Sequence, residues 1–135
     1  MSFVLDASVT MAWLFEDESS QHTEIILERL NDEQALAPEL WLYEVANVLI
    51  MGERRQRLTE AQSRRFIELL LALPIEIVPN DKSTLWSSLI SLAREQGISA
   101  YDAAYLDTAM RKGIPLATQD KALKKAAQRT GVAVI

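Results

Sequence analysis

Residues 3–15 read FVLDASVTMAWLF, and the opening of that stretch decides the fold. Phe3-Val4-Leu5 is a short apolar run of strand length that stops at Asp6. From Val9 to Phe15 the chain reads as a helix. A buried strand that ends on an acid and runs straight into helix is the first half of an α/β unit. The same alternation recurs downstream. Ala35 to Ala37, closed by Pro38, is a strand before a long helix from Glu39 to Arg55. Ile75 to Val78, between Pro74 and Pro79, is a strand before a helix that stops at Gly97. Ile114 to Thr118 is a strand before the helix Lys121 to Arg129, and Val132 to Ile135 is expected to close the sheet.

The helix boundaries are written in the capping residues. A helix runs from about Ser20 to Leu30, and Asn80 or Asp81 is expected to cap the one that stops at Gly97. Thr59-Glu60-Ala61-Gln62 has the form of a capping box, and Ser99-Ala100-Tyr101-Asp102 has it again. Gly97 and Gly113 stand where left-handed helix ends are expected. Because nearly every strand is followed by a helix, the strands are expected to pair in parallel. The fold class is therefore α/β, a mostly parallel central sheet of four to five short strands with helices on both faces. One domain is expected over residues 1–135.

Composition narrows the function. Of 135 residues, 49% are hydrophobic and 24% charged, which is ordinary for a folded domain and excludes intrinsic disorder. Nineteen acidic and fourteen basic side chains leave a net charge of −5, which argues against a protein that coats nucleic acid through charge alone. The absence of cysteine excludes disulfides, thiolate nucleophiles and thiolate metal sites. A single histidine excludes a site of clustered imidazoles. No stretch approaches the length of a membrane span, and the start lacks the basic residues of a signal peptide, so a cytoplasmic protein without membrane contact is expected.

Four acids stand out against this background. In a parallel sheet, ligands bind beyond the carboxyl ends of the strands. Asp6 and Asp120 follow the ends of two strands, although a helix N-cap is the common use of such an acid. Glu44 lies in Leu40-Trp41-Leu42-Tyr43-Glu44-Val45-Ala46-Asn47-Val48-Leu49-Ile50-Met51, a helix apolar on nearly every face and so expected to be buried almost all round. An ionised carboxylate there needs either an arginine or a metal cation. Asp102 opens a helix whose dipole alone could account for it. Asp107, about 140° further round that helix, is expected to face water.

Taken together, the four acids say more than any one does. If the strands are neighbours, Asp6, Glu44, Asp102 and Asp120 converge on one pocket. Like charges about 4 Å apart repel by roughly 4 kcal/mol at an effective dielectric of 20, so the cluster needs a compensating cation. The apolar segments offer no lysine or arginine. Mg²⁺ or Mn²⁺ suits carboxylate oxygens, and such an ion serves phosphodiester hydrolysis by an activated water. Ser8, Asn47 and Thr118 neighbour Asp6, Glu44 and Asp120 and could orient ligands or waters, though local backbone hydrogen bonding is the alternative use of each.

Val4-Leu5-Asp6-Ala7-Ser8, Glu44-Val45-Ala46-Asn47, Tyr101-Asp102-Ala103-Ala104-Tyr105-Leu106 and Leu116-Ala117-Thr118-Gln119-Asp120 resemble, in order and spacing, the four acidic motifs of PIN-domain ribonucleases. Order, spacing and total length are most similar to the VapC-type toxins of prokaryotic toxin–antitoxin pairs. The resemblance implies a Mg²⁺- or Mn²⁺-dependent endoribonuclease with Asp6, Glu44, Asp102 and Asp120 around the ion. It implies a structured RNA substrate such as transfer or ribosomal RNA, a homodimer, and a small antitoxin that masks the site.

The remaining charges and apolar residues need places too. Arg54, Arg55, Gln56 and Arg57, with Arg64, Arg65, Lys121, Lys124, Lys125 and Arg129, could position RNA phosphates or simply solvate helix faces. His22, beside Glu24, is expected at the surface. Trp13-Leu14-Phe15 and Leu69-Leu70-Leu71 are apolar beyond what one core face requires, so they are buried on two sides or meet a partner. The competing reading is a non-enzymatic module, either a phosphoacceptor signalling domain or a catalytically dead partner-binding one. A phosphoacceptor domain would place its acceptor Asp at a central strand end and a Lys after a later strand. Here Ile75 to Val78 ends in Pro79 and Asn80, and Thr118-Gln119-Asp120 holds no lysine before Lys121.

Overall fold

In the computed structural model, which describes residues 1–135, the opening apolar run forms β1 (Ser2–Leu5) and Asp6 turns the chain into α1 (Ala7–Ala12). That helix is shorter than its apolar residues suggest. The Trp13 indole N–H donates to the Thr23 carbonyl at 2.8 Å, which ties the chain to the next helix. A 3₁₀ turn at Glu16–Glu18 then leads to α2 (Gln21–Arg29), opened by a reciprocal Ser20–Thr23 capping box. β2 (Gln34–Pro38) and α3 (Leu40–Arg54) follow, then α4 (Glu60–Ala72), which starts at the Thr59–Gln62 capping box read from sequence. β3 (Ile75–Val78) leads into α5 (Lys82–Thr84), a π-helical segment at Leu85–Leu89, and α6 (Ile90–Gln96), which ends on left-handed Gly97. The π segment was not legible in the sequence; within it Ser87 donates its hydroxyl back to the Ser83 carbonyl at 2.6 Å. α7 (Ala100–Lys112), β4 (Leu116–Ala117) and α8 (Lys121–Arg129) complete the chain.

All four strands are parallel, in the order β3-β2-β1-β4. The chain adds β2 and then β3 to one side of β1 and crosses back to place β4 on the other. The order therefore reverses between β1 and β4, and that is where an open parallel sheet leaves a crevice for ligands. The central strands are buried on both faces, as their apolar runs require, with Phe3, Val4, Leu5, Leu116 and Ala117 fully buried, whereas the edge strand β3 exposes Glu76. Leu106 of α7 and Leu123, Ala126 and Ala127 of α8 belong to the same core.

Three expectations are corrected. The C-terminal Val132–Ile135 segment is not a strand; it touches the sheet through a single bridge, Leu116 to Val134. The helix α3 is not buried all round, for Leu42, Tyr43 and Ile50 are exposed while Trp41, Val45 and Leu49 face the core. Asp107 does not face water: it is buried, and Arg111 one turn on closes over it at 2.7 Å. In the last two cases the helical period was right but the width of the covering layer was not visible in the sequence.

One buried polar chain fixes α3 against α1. The Trp41 indole N–H donates to the Thr10 hydroxyl at 2.9 Å, and that hydroxyl donates to the Asp6 carbonyl at 3.2 Å. Trp41 lies one turn before Glu44, so this link sets where the Glu44 carboxylate stands relative to the end of β1. Replacing Thr10 by Val keeps the shape but leaves the indole N–H buried without a partner, which costs about 1–3 kcal/mol. The urea midpoint of Thr10→Val is expected to fall accordingly, with an unchanged slope.

Candidate active site

Asp6 occupies the cap position of α1, but its side chain makes no capping hydrogen bond. Instead its Oδ2 accepts the Ser8 hydroxyl at 2.8 Å and the Thr118 hydroxyl at 2.6 Å. Both hydroxyls are themselves held. Ser8 Oγ accepts the Gln119 N–H at 3.0 Å, and Thr118 Oγ1 accepts the Asp120 N–H at 3.1 Å. Each hydroxyl thus has its proton turned toward Asp6 and its lone pair toward the backbone after β4. The β1–β4 pairing makes this possible, because the Asp6 N–H bonds the Ala117 carbonyl and brings Thr118 alongside.

The other three acids arrive from separate elements. Glu44, half-buried on α3, accepts the Tyr105 hydroxyl on Oε1. Asp102 sits in the first turn of α7, where its backbone N–H is taken by the Ser99 hydroxyl at 3.0 Å. The expected reciprocal half of that capping box is not made, so the Asp102 carboxylate is free to face the site. Asp120 caps α8, with Oδ1 accepting the Leu123 N–H at 2.8 Å, so the ordinary use of a strand-end acid is realised there alongside its place in the cluster.

The acids feel one another. Burial is the main cause that pushes the Asp6 carboxyl above its usual range, against the Thr118 and Ser8 hydrogen bonds, with the charge of Asp120 adding to it. Burial also raises Glu44, the Tyr105 bond opposes it, and the charges of Asp6 and Asp102 raise it further. Asp102 is pushed up to about 6 by burial and then by Asp120 and Asp6. Burial, followed by the bond to Glu44, keeps the Tyr105 phenol protonated and so a donor. None of the four acids takes part in an ion pair; the five that form lie elsewhere.

An all-oxygen donor set of four mutually repelling carboxylates with no protein cation fits a hard divalent ion. The oxygens do not close on one point as a ready-made cage of three or more acids. That agrees with the habit of Mg²⁺, which takes one or two carboxylates and keeps several waters.

Other residues fall in places the sequence did not disclose. Asn47 is exposed and lines a cleft with Arg55 and Arg57 rather than bonding Glu44. His22 is not a free surface side chain: its ring Nδ1 is hydrogen-bonded to the Gln119 amide. Tyr105 follows Asp102 by three residues and so shares its face of α7, which is the sequence signal for its contact with the site. Trp13 and Phe15 pack inward, whereas Leu69 and Leu71 are exposed.

The PIN-domain family model matches residues 3–129. Ribonuclease VapC3 of Pyrobaculum aerophilum is 30% identical over 123 residues, covering 91% of this chain and 92% of that protein. The solved structure of VapBC2 from Rickettsia felis, bound to a DNA fragment from their promoter, superposes with a TM-score of 0.72 at 13% identity, over 100% of this chain and 98% of that one. A toxin–antitoxin complex from Klebsiella pneumoniae superposes with a TM-score of 0.62 at 16% identity, over 87% and 86% of the two chains. These structural likenesses concern the fold. The chain belongs to the PIN-domain family.

The raised carboxyls have a consequence for the ion-free protein. Asp102 binds its proton more tightly folded than unfolded. Its contribution to stability is complete below its ordinary value of 3.8 and is lost as pH rises through about 6. In chelator, Asp102→Asn is expected to melt a few degrees above the parent protein at about pH 8, and the gap is expected to close as pH falls to about 4. A gap independent of pH would mean that Asp102 is not under this strain.

Proposed function

We propose that this PIN-domain protein is an endoribonuclease of the VapC type, the toxin of a toxin–antitoxin pair, and that it hydrolyses RNA phosphodiesters with Mg²⁺ or Mn²⁺ at Asp6, Glu44, Asp102 and Asp120. The observation that supports this reading is that four acids from four elements raise one another by charge beside the sheet's reversal point, with no arginine or lysine paired to any of them. The relationship to a ribonuclease over nine-tenths of the chain supplies the substrate class.

When bound, the ion supplies the charge that draws a phosphodiester to the acids and makes a nearby water a better nucleophile. The chain's own groups fix the geometry. Ser8 and Thr118 hold the Asp6 carboxylate in one orientation, and Tyr105 holds Glu44. Asp102 and Asp120, each at the start of a helix, are set by backbone that cannot shift without unwinding α7 or α8. A water activated beside these carboxylates can pass its proton to one of them, while the departing ribose oxygen takes a proton from solvent.

The exposed apolar face of α3 and α4 suits the partner. Leu42, Val45, Leu49, Ile67, Leu70 and Leu71 line an apolar groove of about 270 Å³ between these helices. A groove without a polar side chain fits the apolar side of an amphipathic helix, which we assign to the antitoxin. Exposed Tyr43, Trp86 and Tyr101 leave further apolar surface for a second copy of the chain.

Two experiments test this reading. Asp6→Asn and Asp102→Asn are expected to lose about a hundredfold or more of RNA cleavage with the circular dichroism unchanged. Glu60→Gln, at an exposed pair with Arg64, should cut normally. Calorimetry should detect Mn²⁺ binding to the parent and not to Asp6→Asn. Wild-type cleavage rates in either aspartate variant would sink the assignment. Separately, Leu71→Lys changes a side chain 80% exposed and should leave folding intact while weakening antitoxin capture about tenfold.

A further inference from the structure

We propose that Arg57 anchors an RNA phosphate neighbouring the bond to be cut, and that Asp17 and Glu18 occupy its guanidinium until RNA arrives. The proposal rests on the ribonuclease reading and deepens it. A cleft of about 530 Å³ opens beside the acid cluster, its lining shared by Ser8, Glu44 and Gln119 with Glu18 and Arg57. Arg57 is the one cation along it. Arg57 and Phe15 also border two further clefts, one shared with Asn47 and Arg55, the other with Gln62 and Arg65. A strand leaving the acids by any of these routes passes this side chain.

The side chain is prepared for an oxyanion. Its guanidinium lies 4.0 Å from the centroid of the Phe15 ring, which supports it from below. Its backbone is fixed as well. Gln56 turns in the left-handed region at φ 61°, and the Arg57 N–H returns to the Gly52 carbonyl at 2.8 Å. A single nitrogen, Nη2, donates to both carboxylate oxygens of Asp17 at 3.1 and 3.2 Å, with Glu18 at 3.9 Å. The contact uses one nitrogen and leaves the two-nitrogen fork, the edge that pairs bidentately with a phosphate, without a side-chain partner. The Asp17 side chain is 74% exposed, and exposed pairs of this kind contribute little, so an incoming phosphodiester can exchange with it. In a chain of net charge −5 whose active site is itself acidic, a phosphate anchor next to the acids offsets the repulsion of the RNA backbone.

The test is a binding measurement on the unmutated protein, by anisotropy of a short, labelled, mixed-sequence single-stranded RNA over a range of salt, with Ca²⁺ in place of Mn²⁺ to suppress cleavage. Arg57→Ala is expected to weaken binding about tenfold and to lower the salt slope by about one, while Arg57→Lys keeps most of the slope. Asp17→Asn with Glu18→Gln is expected to tighten binding several-fold, and that gain should vanish when Arg57 is already Ala. In the cleaving protein, Arg57→Ala should raise KM and leave kcat nearly unmoved. Unchanged affinity and slope in Arg57→Ala, a gain from the neutralised acids that persists without Arg57, or no measurable RNA binding at all would each overturn the proposal. Failure of the unmutated protein to cut RNA would count against the ribonuclease reading instead, whatever the anisotropy shows.

Discussion

Two hydroxyls on one carboxylate oxygen hold the functional end of this molecule together. Ser8 and Thr118, more than a hundred residues apart, both donate to Asp6 Oδ2 and both accept from the backbone that follows β4. That arrangement couples the end of β1 to the end of β4 across the point where strand order reverses. It also keeps a buried acid from capping its own helix. Burial still wins over the hydrogen bonds and raises the Asp6 carboxyl, so the clamp fixes the position of the acid without relieving its charge. A proton or a cation from outside the chain relieves it.

The same logic extends outward. Thr10 and Trp41 fix α3 relative to Asp6, and Tyr105 fixes the Glu44 side chain that α3 carries. The buried polar groups beside the acids, Asp6, Thr10 and Thr118, are all hydrogen-bonded, whereas the buried Ser63 hydroxyl on α4 has no partner. Arg57 stands at the edge of this arrangement, held by a ring, a left-handed turn and two replaceable carboxylates.

Much of this was legible from residue order. The parallel strands were visible because strands buried on both faces are continuous apolar runs, and the helix starts because Ser20, Thr59, Ser99 and Asp120 carry their caps in the sequence. The four acids stood out because each interrupts an apolar or structural pattern. What was hidden depended on layer thickness and long-range contact. Nothing in the local pattern distinguishes the exposed side of α3 from its buried side, since both are apolar. Asp107 is polar and off the face of Asp102, yet α7 is covered there too, and Arg111 supplies the charge. The Tyr105–Glu44 bond spans sixty-one residues, and the place of Arg57 depends on a turn at Gln56 that no periodicity marks.

The Tyr105 phenol has one more property. Its ring is 1% exposed and its hydroxyl touches Glu44, whereas Tyr43 and Tyr101 stand in solvent. A change of charge on Glu44 perturbs the electronic transition of that one sheltered ring far more than those of the others. The protein therefore carries its own chromophore for the state of its acids, readable as a near-ultraviolet difference spectrum without any label.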